Sequence, residues 1–122
     1  MKKISRKRAD LLRSVEPFRR ALRIRVSRCE FCLKTANPHS LDVHELVPGY
    51  LRALALDKVY ATLCVTRLCH QQIERLTIPN QMAYLLRSRP ESFNIELYWK
   101  LMRRQWPSME EILYFLAKIS NG

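Results

Sequence analysis

Two pairs of cysteines limit what this chain can fold into. Cys29 and Cys32 are separated by two residues, whereas Cys64 and Cys69 are separated by four. Two thiolate pairs on short loops can meet at one tetrahedral zinc ion, with Zn–S distances of about 2.3 Å. Two disulfides or four unpaired core cysteines are the alternatives. The spacing favours zinc. Disulfides are disfavoured, because the N-terminus lacks the apolar segment of a secretion signal and disulfides belong mainly to oxidising compartments.

The second constraint is an uneven positive charge. The chain has 22 Lys and Arg residues against 11 Asp and Glu, and residues 1–28 hold eleven basic side chains against two acidic ones. Nucleic acid is the commonest polyanionic partner of such a surface, and a solvated basic tail without a partner is the alternative. The predicted phosphate-contacting residues are Arg6, Arg8, Arg13, Arg19, Arg20, Arg23 and Arg25.

Composition excludes several other classes of protein. The 122 residues are 48% hydrophobic, which predicts one globular domain rather than a disordered chain. Two glycines leave no room for a Gly-rich phosphate-binding loop. No apolar run reaches the length of a bilayer span, so we expect no membrane partner. The free thiols and the absence of a secretion signal predict an intracellular protein, cytoplasmic or nucleoid-associated.

The pattern of apolar residues predicts an α+β, mostly α fold. Apolar residues recur at helical spacing over 6–26, and Pro17 predicts a kink there or the start of a second helix. Alternating and β-branched residues predict strands over 41–47 and 59–65, followed by a short helix over 69–76.

The C-terminal part is predicted to be helical throughout, with a capping box formed by Ser108 and Glu111. No chemistry is predicted for it. The predicted organisation is a basic helical arm (1–28), a zinc-stabilised core (29–76) and a helical C-terminal extension (77–122).

Two histidines add a second candidate site to the cysteine core. His44 lies in the first predicted strand, and His70 directly follows Cys69. A lone histidine is usually structural, but a zinc ion that joins the strand to the short helix would bring these two side chains together. A second metal ion could then bridge them.

The order of these residues resembles that of the HNH nucleases, which have the ββα-metal fold. The resemblance covers about residues 29–76, and its stretches are Cys29-Glu-Phe-Cys32, Asp42-Val-His-Glu-Leu-Val-Pro48 and Leu63-Cys-Val-Thr-Arg-Leu-Cys-His70. It implies a structural Zn²⁺ on Cys29, Cys32, Cys64 and Cys69. It also implies a metal-dependent endonuclease that hydrolyses phosphodiester bonds of DNA. The small size of the chain would suit a protein of a phage or mobile element.

The resemblance also assigns catalytic roles. Counting back from Pro48 puts Glu45 at the general-base position and His44 at a metal-ligand position, with His70 and Glu74 as further ligands of a catalytic Mg²⁺, Mn²⁺ or Zn²⁺. The family's general base is commonly His, and its middle Asn has no counterpart here. These departures keep a second interpretation open, a catalytically inactive zinc-stabilised module that binds double-stranded DNA. A third is an adaptor that docks proteins through its helical C-terminal extension.

Overall fold

The long N-terminal helix passes through its proline without a break. In the computed structural model, which describes residues 6–121, helix α1 (Arg6–Val26) contains Pro17. The predicted option of a second helix starting at Pro17 is therefore wrong. Leu22 and Arg19 are buried on α1, so contacts on the C-terminal side of the proline offset the backbone hydrogen bond that proline removes.

A two-stranded antiparallel sheet carries the central residues. Strand β1 (Leu41–Glu45) pairs with strand β2 (Thr62–Thr66), with His44 opposite Leu63 and Val43 opposite Cys64. Between the strands lies a turn followed by the short helix α2 (Arg52–Ala55). Both strands are shorter than predicted: β1 ends at Glu45, and β2 begins only after Val59–Ala61, which forms a single 3₁₀ turn.

Helix α3 (Arg67–Ile73) follows β2 directly, with Thr66 as its N-cap residue. The strand-to-helix junction therefore places consecutive residues, Cys69 and His70, beside the sheet. Two antiparallel strands followed by a helix agree with the predicted core, and the chain as a whole is α+β, mostly α.

The three C-terminal helices pack on this core. They are α4 (Ile78–Ser88), α5 (Ile95–Met102) and α6 (Met109–Asn121). The predicted capping box begins α6: the Ser108 hydroxyl accepts the Glu111 N–H at 3.2 Å, and the Glu111 carboxylate accepts the Ser108 N–H at 3.2 Å. Ile112 of α6 is fully buried in the core.

A buried ion pair joins the first cysteine loop to the C-terminal helices. Glu30 is fully buried, and its carboxylate accepts hydrogen bonds from the Cys64 N–H and from Arg89 Nε, both at 2.8 Å. Arg89 also donates to the carbonyls of Thr62 and Val59. These bonds fix the loop after Cys29 against β2 and the end of α4.

Two candidate metal centres

The first centre is formed by two histidines and one glutamate. One ligand atom from each of His44, His70 and Glu74 lies within 4.8 Å of the others. His44 Nδ1 is 3.1 Å from His70 Nε2, and His70 Nε2 is 3.1 Å from Glu74 Oε1. The histidines come from β1 and α3, and Glu74 lies four residues after His70, which is one helical turn. The structure thus brings the three predicted ligands together.

Asp42 sets the protonation pattern of His70. The Nδ1 atom of His70 lies 3.1 Å from Asp42 Oδ2. A carboxylate only accepts hydrogen bonds, so this contact places the proton on Nδ1. The Nε2 atom of a neutral His70 therefore carries a lone pair that points toward His44 and Glu74.

Gln81 of α4 sets the protonation pattern of His44. The amide nitrogen of Gln81 donates to the Leu76 carbonyl at 2.9 Å, so its oxygen faces His44 Nε2 at 2.8 Å. The network therefore assigns the proton of His44 to Nε2 and leaves a lone pair on Nδ1. Burial lowers the pKa of His44 and the neighbouring His70 lowers it further, against the opposing effect of Gln81. Protonation of His44 at Nδ1, which would occupy this lone pair and give a charged imidazolium, is thus disfavoured.

When His70 carries its single proton on Nδ1, the form in which an imidazole binds a metal, three acceptors converge; a second proton, on Nε2, would instead be donated toward Glu74 or His44. The lone pairs of His44 Nδ1 and His70 Nε2 and the Glu74 carboxylate face one another. Such a group is stabilised by a cation. In each histidine the nitrogen opposite the lone pair is held by a hydrogen-bond acceptor, which is the usual arrangement around a metal-binding histidine.

Two of the three separations between these donors are compatible with a shared divalent ion. Ligands at about 2.0–2.1 Å from a metal lie about 3.3 Å apart in a tetrahedron and about 3.0 Å apart in an octahedron. The two separations of 3.1 Å lie between these values. The donor set of two imidazoles and one carboxylate suits zinc and other first-row metals, and the carboxylate also suits Mg²⁺.

Glu45 stands beside this group and is not a member of it. Its carboxylate lies 3.3 Å from the Arg8 guanidinium and 3.9 Å from that of Arg19. It nonetheless lines the same surface cavity as His44 and Glu74, and Arg52 lies on the rim of that cavity. The predicted general base therefore borders the site with its charge already paired.

The second centre contains three of the four cysteines. The Sγ atoms of Cys29, Cys32 and Cys69 lie within 4.8 Å of one another. Sulfur ligands at about 2.3 Å from zinc lie about 3.8 Å apart, so the group is compatible with a structural metal ion. All four cysteines are free thiols, so the structure supports neither of the alternative disulfides.

Cys64 does not belong to this group, contrary to the prediction. Its side chain is fully buried in β2, opposite Val43. Burial, followed by the nearby charge of Glu30, raises the pKa of the Cys64 thiol to about 12. Cys64 therefore packs as a core residue, outside the group of three sulfurs.

Cys29 is held in an environment that favours its thiolate. Burial alone would raise its pKa, but hydrogen bonds to the sulfur from the backbone of Cys32, Thr66 and Phe31 lower the pKa to about 7. The Thr66 N–H lies 3.4 Å from Cys29 Sγ and the Thr66 hydroxyl 3.7 Å from it. A preformed thiolate is the form that binds metal.

The predicted phosphate-contacting arginines of α1 differ in their surroundings. Arg19 is buried and donates to the carbonyls of Val43 and Leu56, so it is a structural residue and not a surface contact for phosphate. The exposed members are Arg6, Arg13, Arg20 and Arg25. Of these, Arg13 pairs with Asp10, and Arg25 donates to Ser92. The part-buried Arg8 pairs with Glu45, and the part-buried Arg23 pairs with Glu16.

Three residues of the two centres escaped the sequence prediction. Asp42 alternates with His44 along β1, a spacing that places both on one face and could have indicated a partner. Thr66 precedes Cys69 by the same two-residue spacing that separates Cys29 from Cys32. Gln81 lies on a helix outside the region of resemblance, and no sequence pattern indicates it.

Comparisons of this chain with models of known protein families, with curated proteins and with solved structures found no match. Within residues 6–121, none of the helices combines the length and the apolar character needed to cross a membrane.

Proposed function

We propose that this protein is a metal-dependent endonuclease of HNH type that hydrolyses phosphodiester bonds of DNA. The observation that carries the proposal is the convergence of His44 Nδ1, His70 Nε2 and the Glu74 carboxylate, whose ligand atoms lie within 4.8 Å of one another. A divalent ion held there, Mg²⁺, Mn²⁺ or Zn²⁺, would polarise a phosphoryl oxygen and stabilise the leaving oxygen of the cut strand.

The surrounding residues supply the other requirements of the reaction. Asp42 and Gln81 hold the two imidazoles in the tautomers that present lone pairs to the metal. We assign the general-base role to Glu45, which borders the same cavity and would accept a proton from the attacking water. Arg52, exposed at the rim of the cavity, is placed to contact a phosphate of the bound strand.

The basic surface of α1 supports a nucleic-acid substrate. Arg6 and Arg20 are exposed on this helix, and the positive charge of the chain is concentrated on its first 28 residues. Such a surface binds phosphates without choosing a sequence and gives an affinity that falls as salt rises. The proposed zinc ion on the cysteine group would hold the hairpin and α3 in position, since metal binding free energy becomes folding free energy.

A specific observation favours a second function, a DNA-binding module without catalysis. The Glu45 carboxylate is paired with Arg8 and Arg19, and these contacts compete with proton transfer from a water molecule. In that case the protein would bind double-stranded DNA in a salt-dependent manner and leave both strands intact.

A plasmid-nicking assay tests the proposal. Supercoiled DNA is incubated with the purified protein and Mg²⁺, Mn²⁺ or Zn²⁺, beside His44→Ala, His70→Ala and Glu74→Gln. His39→Ala is the matched control, because His39 is the third histidine and is exposed outside both groups. We expect nicking by the parent and the control, a loss of at least about 100-fold in the two site histidine variants, and a smaller loss for Glu74→Gln.

Two outcomes would contradict the nuclease proposal. Intact plasmid and intact RNA with every metal, from a folded parent that still binds DNA, would favour the non-catalytic module. Equal nicking by the parent and His70→Ala would show that the cleavage comes from another source. Glu45→Gln then separates the two functions, because it abolishes cleavage in the nuclease and leaves DNA binding within about twofold.

A further inference from the structure

The cysteine group has three sulfur donors and a threonine where a fourth would stand. Cys29 and Cys32 are separated by two residues, and so are Thr66 and Cys69. The two matched segments face each other: the Thr66 N–H and hydroxyl lie 3.4 Å and 3.7 Å from Cys29 Sγ. Thr66 therefore stands where a second Cys-x2-Cys pair, ending at Cys69, would have its first cysteine.

Thr66 acts toward the Cys29 sulfur as a hydrogen-bond donor. Its hydroxyl is a donor to Cys29 Sγ at a distance of 3.7 Å, and its backbone N–H is a second donor to the same sulfur at 3.4 Å. A hydroxyl that donates its proton to a thiolate has not lost that proton to become an anionic ligand. The side chain of Thr66 thus supports the Cys29 thiolate without replacing the missing sulfur.

Cys64 cannot fill the gap while the strand pairing is kept. It is fully buried opposite Val43, and its backbone N–H is bonded to the Glu30 carboxylate. Its sulfur is not among those of Cys29, Cys32 and Cys69, which lie within 4.8 Å of one another.

Solvent can reach the group. Cys32 is exposed, and so are Arg67 and Leu68, the two residues that follow Thr66. The side chain of Leu68 is 75% exposed. A metal ion held by the three sulfurs would therefore lie near the protein surface. Zinc sites with three protein ligands keep a fourth position for water or another small ligand, whereas closed structural sites use four.

We propose that Cys29, Cys32 and Cys69 hold one zinc ion through three thiolates, and that its fourth position is open to an exchangeable water molecule or small nitrogen or sulfur ligand. This inference rests on the zinc binding proposed above for the cysteine group and not on nuclease activity. It replaces the closed four-cysteine site that the family resemblance implies with one whose ligand can exchange.

Cobalt spectroscopy tests the inference, since sulfur-to-cobalt charge-transfer absorption reports the number of bound thiolates. The measurement uses His70→Ala as the background, so that the histidine group does not add visible bands. The variants are Cys69→Ser, Cys64→Ala, Thr66→Cys and, as the matched control for the last, Thr66→Ser. Each spectrum is recorded per bound Co²⁺, before and after addition of imidazole.

We expect three thiolates in the background protein. The charge-transfer intensity falls by about one third in Cys69→Ser, stays constant in Cys64→Ala and Thr66→Ser, and rises by about one third in Thr66→Cys, as a fourth sulfur joins three. Imidazole shifts the visible bands of the background protein, because it enters the open position. It leaves those of Thr66→Cys unchanged.

Three results would overturn the inference. A fall of about one quarter in Cys64→Ala would show that Cys64 is a fourth ligand. If imidazole does not change the visible cobalt bands of the background protein, the site is closed. This measurement does not depend on whether Cys64→Ala folds. Absence of any sulfur-to-cobalt band would remove metal from the cysteine group altogether. None of these results bears on the nicking assay, so the two proposals fail separately.

Discussion

The two candidate metal centres share one helix and differ in how their donors are prepared. Cys69 and His70 are neighbours on α3, yet they belong to different groups. The imidazoles are oriented by side chains, Asp42 and Gln81, whereas the Cys29 thiolate is stabilised mainly by backbone N–H groups. One strand-to-helix junction can therefore hold a sulfur site and a nitrogen and oxygen site side by side.

The difference has a consequence for how each centre responds to mutation. Side chains that orient a ligand can be replaced one at a time, so the histidine group can be weakened without unfolding the chain. Backbone donors depend on the conformation of the whole loop, and the loop after Cys29 is held by the buried pair of Glu30 and Arg89. The cysteine group is therefore expected to depend on the stability of the fold.

The largest predicted effect separates Cys64 from the exposed Cys32. A pKa of about 12, against an ordinary value of 9, leaves the Cys64 thiol with about a thousandfold less thiolate. In the folded, reduced and metal-free protein we expect iodoacetamide to modify the exposed Cys32 rapidly and Cys64 far more slowly, because the Cys64 thiol is both buried and protonated. Mass spectrometry of peptides over time measures both rates. Comparable rates would place Cys64 outside the core.

The next effect concerns the ion pair that fixes the cysteine loop. Glu30→Gln leaves the buried Arg89 without its charged partner, and we expect the free energy of unfolding to fall by about 3–5 kcal/mol. Denaturant titration measures the change. Glu16→Gln is the control, because the Glu16 side chain is 41% exposed and its pair with Arg23 is worth at most about 1 kcal/mol. Equal losses would contradict the assigned difference.

A smaller effect tests the orientation of the imidazoles. Gln81→Leu removes the acceptor of His44 Nε2, and Asp42→Asn removes the charge beside His70 Nδ1. We expect each to lower the affinity for Mn²⁺ by roughly 10–100-fold without changing metal binding by the cysteines. Calorimetric titration with Mn²⁺ gives the affinity. Asp57→Asn, on the exposed surface, should bind like the parent, and an equal loss there would remove the assigned role of Asp42.

The smallest effect calibrates the others against stability alone. Ser108→Ala removes the N-cap of α6, and we expect it to lower the free energy of unfolding by about 1 kcal/mol. The affinity of both centres should stay within about twofold, because the helix start contributes no ligand to either group. A larger loss of affinity would show that metal binding follows global stability. It would contradict the assignment of the histidine group to individual side chains and of the cysteine group to the stability of the fold.

Local patterns in the sequence predicted most of the elements, and together with the HNH resemblance they predicted the histidine group. Helical spacing predicted a helix over 6–26, although not its continuity through Pro17, and the HNH resemblance together with the helical position of Glu74 relative to His70 predicted their contact. The missed features depend on tertiary structure. Burial of Arg19 by β1 and the turn after α2 removed it from the predicted phosphate contacts. Likewise, only the strand register separates Cys64 from the other cysteines.

The most direct test of two separate centres is the zinc content of the chain. Protein loaded with zinc and then desalted is measured by elemental mass spectrometry, together with Cys29→Ser/Cys32→Ser, His44→Ala/His70→Ala, and the controls Cys64→Ala and His39→Ala. We predict two zinc ions per chain for the parent and both controls, and one for each double variant. Loss of a zinc ion in Cys64→Ala, or retention of two in His44→Ala/His70→Ala, would contradict the account.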